Sequence, residues 1–235
     1  MNHALDILPP KKSNKKIEFP QIPSPLQQPA YTLILTMPTR SGKSTIVLNI
    51  LKNVLMGYSD NVFEEIYYIS PTLPLDETLK AINEDETIIK ITDDEELENL
   101  DDILKDIMKS QKDKDDDERK HVLIVLDDMI DYLKKSKVLG NLTTKNRHLK
   151  ISLIIVSQVF RDGLPIKARK NGTSYIFGNI YNQKDLETIN EELGSSFPNF
   201  MDYYKQATKE KYDFLYVDTR DMSLWRSFKS LLWRK

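Results

Sequence analysis

The chain has 235 residues, 40% of them hydrophobic and 30% charged, with a formal net charge of −2. That length supports one sizeable buried core, and the near-neutral balance excludes a global basic field for nucleic acid while leaving room for a local basic surface. It contains no cysteine, so disulfides, thiolate metal sites and cysteine nucleophiles are excluded; no apolar run approaches the roughly 18 residues of a membrane span, and Met1 to Pro10 lacks a signal-peptide core, so a soluble, non-secreted protein with no membrane partner is expected.

Residues 1–29 carry Pro9, Pro10, Pro20, Pro23, Pro25 and Pro29 with Lys11, Lys12, Lys15 and Lys16 among them. Proline removes backbone donors and biases its neighbour to extended backbone, so this segment reads as an extended arm. Order is expected from Ala30. Tyr31 to Thr36 is a short apolar run suited to a buried strand, and Thr45 to Leu55 has apolar residues at helical spacing. Ile66 to Ser70 reads as a second strand, closed by Pro71, and Leu75 to Ile82 as a helix. Glu95 to Met108 is amphipathic; Ser110 to Lys120 is nearly all charge and reads as a solvated loop. A calcium loop at Asp113 to Asp117 is disfavoured, because the run has no glycine turn and no closing glutamate at the required spacing.

Val122 to Leu126 and Ile151 to Val156 are apolar on both faces, as strands in the middle of a covered sheet are. Ser174 to Gly178 and Phe214 to Asp218 add two strands, and Lys184 to Leu193 and Phe200 to Ala207 two helices. Alternating strands and helices predict an α/β fold in three layers, with a mostly parallel central sheet flanked by helices. The domain would span residues 30–220, followed by an aromatic and basic segment, residues 221–235, expected to pack on its own domain.

Between the first strand and the first helix stands Met37-Pro38-Thr39-Arg40-Ser41-Gly42-Lys43-Ser44, followed by Thr45. Its end fits the phosphate-loop motif G-x-x-x-x-G-K-[ST] in the strand-to-helix context that motif needs. Backbone N–H groups of such a loop surround the phosphates, the lysine reaches the β- and γ-phosphates, and the serine hydroxyl ligates Mg²⁺. Pro38 to Thr45 are therefore the expected nucleotide contacts, with Lys43 also catalytic and ATP and Mg²⁺ the cofactors. Two positions depart from the motif: Met37 stands where the first glycine belongs, and Arg40 where another glycine is common.

The strand Val122 to Leu126 ends in Asp127-Asp128. In a phosphate-loop sheet the strand next to the loop ends with an acid that holds the Mg²⁺ shell; Asp127 takes that part with Ser44. Asp128 is placed to orient and deprotonate an attacking water. Otherwise both acids would simply cap a helix starting near Met129. The strand Ile151 to Val156 ends in Ser157-Gln158. If it lies between the other two strands, Gln158 reaches both γ-phosphate and water. Arg147, before that strand, falls at the opposite strand end, where it is a solvated arginine, a DNA contact, or a group that reaches a neighbour's nucleotide in a ring. Arg169 is a rival for that part, or a DNA contact. The chain is net basic from Gly140 onward, with Lys167, Arg169 and Lys170 as the local cluster, either for DNA phosphates or as an ordinary solvated face.

Together these residues resemble the FtsK–HerA superfamily of P-loop ATPases, in its viral genome-packaging branch shared by poxviruses, other large DNA viruses and virophages. Leu35 to Ser44 is similar to the family's strand and phosphate loop, Ile69 to Thr72 to its second strand end, and Val125 to Asp128 to its acid pair. Asn146-Arg147-His148 with Ile151 to Gln158, and Ile166 to Asn171, resemble two further segments. The resemblance covers residues 31–220. It implies an additional-strand P-loop core, preference for ATP over GTP, a homo-oligomeric ring, double-stranded DNA and capsid proteins as partners, and location in the virion or at a cytoplasmic assembly site. The expected activity is ATP hydrolysis driving viral DNA into a preformed capsid; the short, lysine-rich chain suits a virophage or similar small virus. A small nucleotide or metabolite kinase and a nucleotide-binding capsid or scaffold component without turnover are the alternatives.

Overall fold

The computed structural model describes residues 22–55 and 62–235. Nine strands form one sheet: β1 (Thr32–Thr36), β2 (Glu65–Ile69), β3 (Ile88–Ile91), β4 (Val122–Asp127), β5 (Ile151–Ser157), β6 (Ser174–Phe177), β7 (Leu215–Asp218), β8 (Ser223–Arg226) and β9 (Ser230–Arg234). Their order is β3-β2-β4-β5-β1-β6-β7-β8-β9. The first six in that order run parallel and the last three join them antiparallel. The acid strand β4 is not the immediate neighbour of β1, because β5 is inserted between them and pairs with both. That insertion is the additional-strand arrangement expected from the resemblance.

The alternation of side chains along each strand divides the core into two layers. Ile34, Ile124, Leu126, Leu153, Ile155 and Phe177 point to one face, with Leu97, Leu104, Leu139, Ile189 and Phe200 packed against them. Leu33, Leu35, Leu123, Val125, Ile154 and Val156 point to the other, under Val47, Ile50, Leu79 and Ile82. The covering helices are α1 (Lys43–Leu48), α2 (Lys80–Asn83), α3 (Asp94–Glu98), α4 (Leu100–Lys112), α5 (Ile130–Leu133), α6 (Lys137–Lys145), α7 (Ile166–Lys170), α8 (Gln183–Glu192) and α9 (Phe200–Ala207). Each fully buried leucine or isoleucine contributes about 1.5–3 kcal/mol, so the doubly covered strands carry most of the stability.

Several elements differ from the periodicity alone. The helix expected through Leu55 is α-helical only to Leu48 and continues as a π-helical segment, Asn49–Leu55. Leu75 to Ile82 is two 3₁₀ turns followed by α2, since Pro74 and the Asp76 cap interrupt a continuous helix. The amphipathic helix is two helices that break at Asn99. β3 was hidden because Ile89 is 44% exposed and Lys90 interrupts its apolar run. Of the N-terminal arm, residues 22–29 lie against the domain: Ile22 and Gln27 are buried, and Gln27 Nε2 donates to Thr173 O at 2.7 Å and Asp218 Oδ1 at 2.6 Å. The rest of the arm lies outside the described residues. Residues 221–235 contribute a hairpin, β8–β9, that extends the sheet; Trp233 meets Phe197 edge-on at 5.5 Å and Phe228 meets Phe214 at 4.9 Å. Among the described residues no helix is long and apolar enough to cross a membrane.

Candidate nucleotide site

Parallel strands end at one edge of the sheet, and there the register sets Thr36 beside Ser157, and Val156 beside Asp127. The three chains therefore leave the core at the same level. Met37 N–H donates to Ser157 O at 3.2 Å and Asp128 N–H to Val156 O at 3.3 Å, so the phosphate loop and the acid pair are both tied to β5. A cleft of about 380 Å³ lies at this edge, lined by Thr39, Arg40, Gly42, Lys43, Ser44, Thr45, Asp127, Asp128 and Gln158, with Thr72, Asp76, Thr78 and Tyr212. Pro38 and Ser41 face a second cavity on the other side of the loop.

Gly42 has φ +94°, which only glycine adopts cheaply, and it caps α1. Arg40 is left-handed as well, φ +61°, at the position where glycine is common; its side chain is exposed. Met37 is different. Its backbone is not left-handed, and its side chain is fully buried at the base of the loop. A glycine from β6's end accommodates it: a Cβ at Gly178 would lie 2.7 Å from Met37 Cε. The departure at Met37 is thus absorbed by a neighbour rather than by loop strain.

Lys43 Nζ rests on the carbonyls of Met37 and Pro38, at 3.2 and 3.3 Å. Burial lowers its pKa, against the pull of Asp128 and Asp127. Gln158 joins the two sides of the cleft: its Oε1 accepts from Thr39 Oγ1 at 2.7 Å and its Nε2 donates to Asp128 Oδ1 at 2.9 Å. Asp128 has φ +56°, a costly conformation that turns its carboxylate toward Gln158. Asp127 is buried and accepts from Tyr68 OH at 2.6 Å. Burial raises its pKa to about 6, with the Tyr68 hydrogen bond opposing that shift. The acids do not cap the helix that follows, since α5 begins at Ile130 with Met129 at its cap and no side-chain bond there.

Two contributors carry no motif and were missed. Asp76, capping a 3₁₀ turn after β2, accepts from Ser44 Oγ at 2.6 Å. Tyr68, inside β2, holds Asp127. Tyr68 falls within a strand recognised from the sequence, but a buried tyrosine there reads as core until its hydroxyl partner is known. The donor set of Ser44, Asp127 and Asp76 is hard oxygen of the kind Mg²⁺ takes alongside phosphate and water, and these residues could hold it.

Arg147 lies at the opposite edge of the sheet, exposed, where Asn146 fixes the turn through Nδ2 bonds to Tyr31 O and Thr32 Oγ1, both 3.3 Å. It lines a cavity of about 500 Å³ with Arg119, His121, His148, Lys150 and Arg220. Arg169 is corrected. It is 5% exposed, paired with Glu192 at 2.8 Å, bonded to the carbonyls of Arg161 and Leu164, and stacked on Phe160 at 5.4 Å. A guanidinium so committed serves neither as a finger nor as a DNA contact, and only Lys167 and Lys170 of that cluster remain on the surface.

The model of the poxvirus A32 protein family matches residues 22–218, most of the chain. The chain belongs to this family. Comparison with curated proteins gave no match. Among solved structures, this A32-family chain is similar to the genome packaging NTPase B204 of Sulfolobus turreted icosahedral virus 2. Bound to ATP-γ-S, that protein is 15% identical over 83% of this chain and 95% of its own, with a TM-score of 0.58; bound to sulfate, it is 16% identical with a TM-score of 0.60. The pCW3 conjugation coupling protein TcpA with ATP-γ-S is similar over 83% of this chain and 59% of its own, at 18% identity and a TM-score of 0.53. At these identities the likeness shows a shared P-loop-type fold.

Proposed function

We propose that this A32-family protein is an ATP hydrolase that drives double-stranded viral DNA into a capsid. The observation that carries the hydrolytic part is the bridge from Thr39 through Gln158 to Asp128. It couples the phosphate loop to a carboxylate placed to take a proton from water, and water, not a second substrate, is the acceptor such a pair serves. Lys43 neutralises charge on the transferred phosphoryl group, Ser44 and Asp127 hold Mg²⁺, and the backbone of Pro38 to Thr45 surrounds the phosphates. When bound, the ion supplies charge neutralisation at the phosphate oxygens. Gln158 senses whether the γ-phosphate is present and passes the change to the chain after β5.

The packaging part is supported by family membership and by the fold shared with B204, a genome packaging NTPase. A homo-oligomeric ring is part of this reading, supported by Arg147: it lies exposed at the sheet edge remote from its own cleft, where the nucleotide it would serve is a neighbouring subunit's. Capsid proteins would be the further partners, and the viral assembly site the location. The kinase and the non-hydrolysing scaffold are not favoured. The test is phosphate release from ATP by the purified chain with and without double-stranded DNA. Release that rises with DNA and vanishes in Lys43→Ala supports the motor. Transfer of phosphate to a nucleoside monophosphate, or full release in Lys43→Ala, overturns it.

A further inference from the structure

The phosphate loop has two sides. On one side Asp127, Asp128 and Gln158 gather the groups suited to metal and water. On the other a second cavity, about 320 Å³, opens between Met37–Ser41 and two segments at the same sheet edge: the chain after β6 and the turn before β7. Thr39, Arg40 and Tyr212 border both cavities, so the two communicate across the loop. A triphosphate held with its terminal end toward the acids directs its other end to this second cavity.

What lines it is unusual for this molecule. Of the large apolar side chains that stand exposed among the described residues, two are aromatic, Tyr181 at 80% and Tyr212 at 57%, and both line this cavity. Tyr212 is held in the left-handed region, φ +71°, which a bulky side chain adopts only when its surroundings enforce it. The edge of its ring lies against Gly42, where an added Cβ would be 3.4 Å from Tyr212 Cδ1. The ring therefore stands at the rim of the phosphate loop itself. The Lys211 ammonium, on an exposed stem, engages Tyr212, 4.7 Å from the ring centroid.

We infer that this second cavity is the base subsite of the same nucleotide, with Tyr212 as its stacking platform, and that it takes purines without reading their edges. The inference rests on the nucleotide reading above. Strong discrimination between bases needs buried polar groups that are left unpaired by the wrong base. Here Asn179, Lys209, Glu210 and Lys211 are exposed and return to water at no loss, and Asp213 is committed to Arg226 and Ser227. Stacking accepts any purine face. ATP and GTP are therefore bound with affinities within about tenfold of each other, in contrast to the ATP preference implied by the resemblance.

The test is calorimetric binding of ATP-γ-S, GTP-γ-S and inorganic tripolyphosphate, each with Mg²⁺, to the full chain and to Tyr212→Ala, Tyr212→Phe and Lys43→Ala. Tyr212 is exposed, so its truncation opens no core, and Tyr212→Phe keeps the ring while removing the hydroxyl. The expected result is a loss of about tenfold to a hundredfold for both nucleotides in Tyr212→Ala, no change for tripolyphosphate, and near-normal binding in Tyr212→Phe. Unchanged nucleotide affinity in Tyr212→Ala, while Lys43→Ala abolishes it, overturns the base subsite alone. So does an equal loss for tripolyphosphate, which would place Tyr212 with the phosphates. A wild-type preference for one purine beyond tenfold overturns the claim that base edges are not read. A wild-type chain that binds neither nucleotide nor tripolyphosphate overturns the nucleotide reading and this inference with it.

Discussion

At one edge of the parallel strands each acid is met by a neutral polar side chain: Tyr68 holds Asp127, Gln158 holds Asp128, and Ser44 meets Asp76. At the other edge the cations are held largely by backbone carbonyls, with Arg119 also paired to Asp116 at 3.2 Å and Lys120 to Glu65 at 2.6 Å. Arg220 donates to Gln28 O at 3.3 Å and to Ala30 O, Arg119 to Gln111 O at 2.8 Å and His148 O at 3.1 Å, and Lys150 to Asp116 O. Burial, with Arg147 adding to it, lowers the Arg220 pKa against the pull of Asp218. The first edge gathers the phosphate-loop segment, the acid pair and a bridging amide around one cleft. The second lines an open cavity with Arg119, Arg147, Lys150 and Arg220 and one acid, Asp116. The mainly basic second edge, with Arg147 exposed on it, is the feature on which the proposed contact with a neighbour's nucleotide rests.

The largest effect should come from the first edge. Lys43→Ala is expected to remove measurable turnover and to weaken ATP-γ-S binding, a loss of about a hundredfold to a thousandfold or more in hydrolysis, read by phosphate release and calorimetry. Asp128→Asn keeps an oxygen for Gln158 but removes the base. Its turnover should fall by about a hundredfold to ten-thousandfold with nucleotide affinity retained. Arg147→Ala separates the edges. It should leave nucleotide binding intact and lower turnover by about a hundredfold or more, only at concentrations where the chain assembles; an equal loss in dilute monomer would break the comparison.

Smaller effects fall on stability. Asp127 has a folded pKa near 6, above its ordinary 3.8, so its ionisation opposes folding. For a raised carboxylate the penalty is absent below the unfolded value, grows between about 4 and 6, and is complete above the folded value. Asp127→Asn, which still accepts from Tyr68, should therefore stabilise the chain in chelator by about 2–3 kcal/mol at pH 8. The gain should shrink as pH falls through 6 toward 4, read by denaturant unfolding at each pH. Last, Gly178→Ala should lower the melting temperature by several degrees, since its Cβ meets Met37. Met37→Ala in the same chain should restore part of that loss.

Much of the first edge could be read in the sequence because its residues follow strand ends: Gly42-Lys43-Ser44 closes the loop after β1, and Asp127-Asp128 and Gln158 come where the apolar runs of β4 and β5 stop. The parallel core was legible for the same reason: strands apolar on both faces announce themselves. Contacts made across the sheet were not. Asp76 lies in a proline-bearing turn of no marked pattern, Tyr68 is bound to a strand two places from the loop, and Gly178 makes room for Met37 from β6. Arg169 shows the reverse error. In the string Lys167-Ala168-Arg169-Lys170 it reads as surface charge, yet the helical turn of α7 points it inward, toward Glu192 on α8.

A mixing experiment tests the two-edge account most directly. Arg147→Ala and Asp128→Asn chains are prepared separately, each nearly inactive, then combined, and phosphate release is followed in the presence of double-stranded DNA. The account predicts that the mixture recovers a substantial part of wild-type turnover, because an Asp128→Asn subunit presents an intact Arg147 to the intact cleft of an Arg147→Ala neighbour. A mixture no more active than the sum of its two components, under conditions where mixed assemblies form, would contradict it.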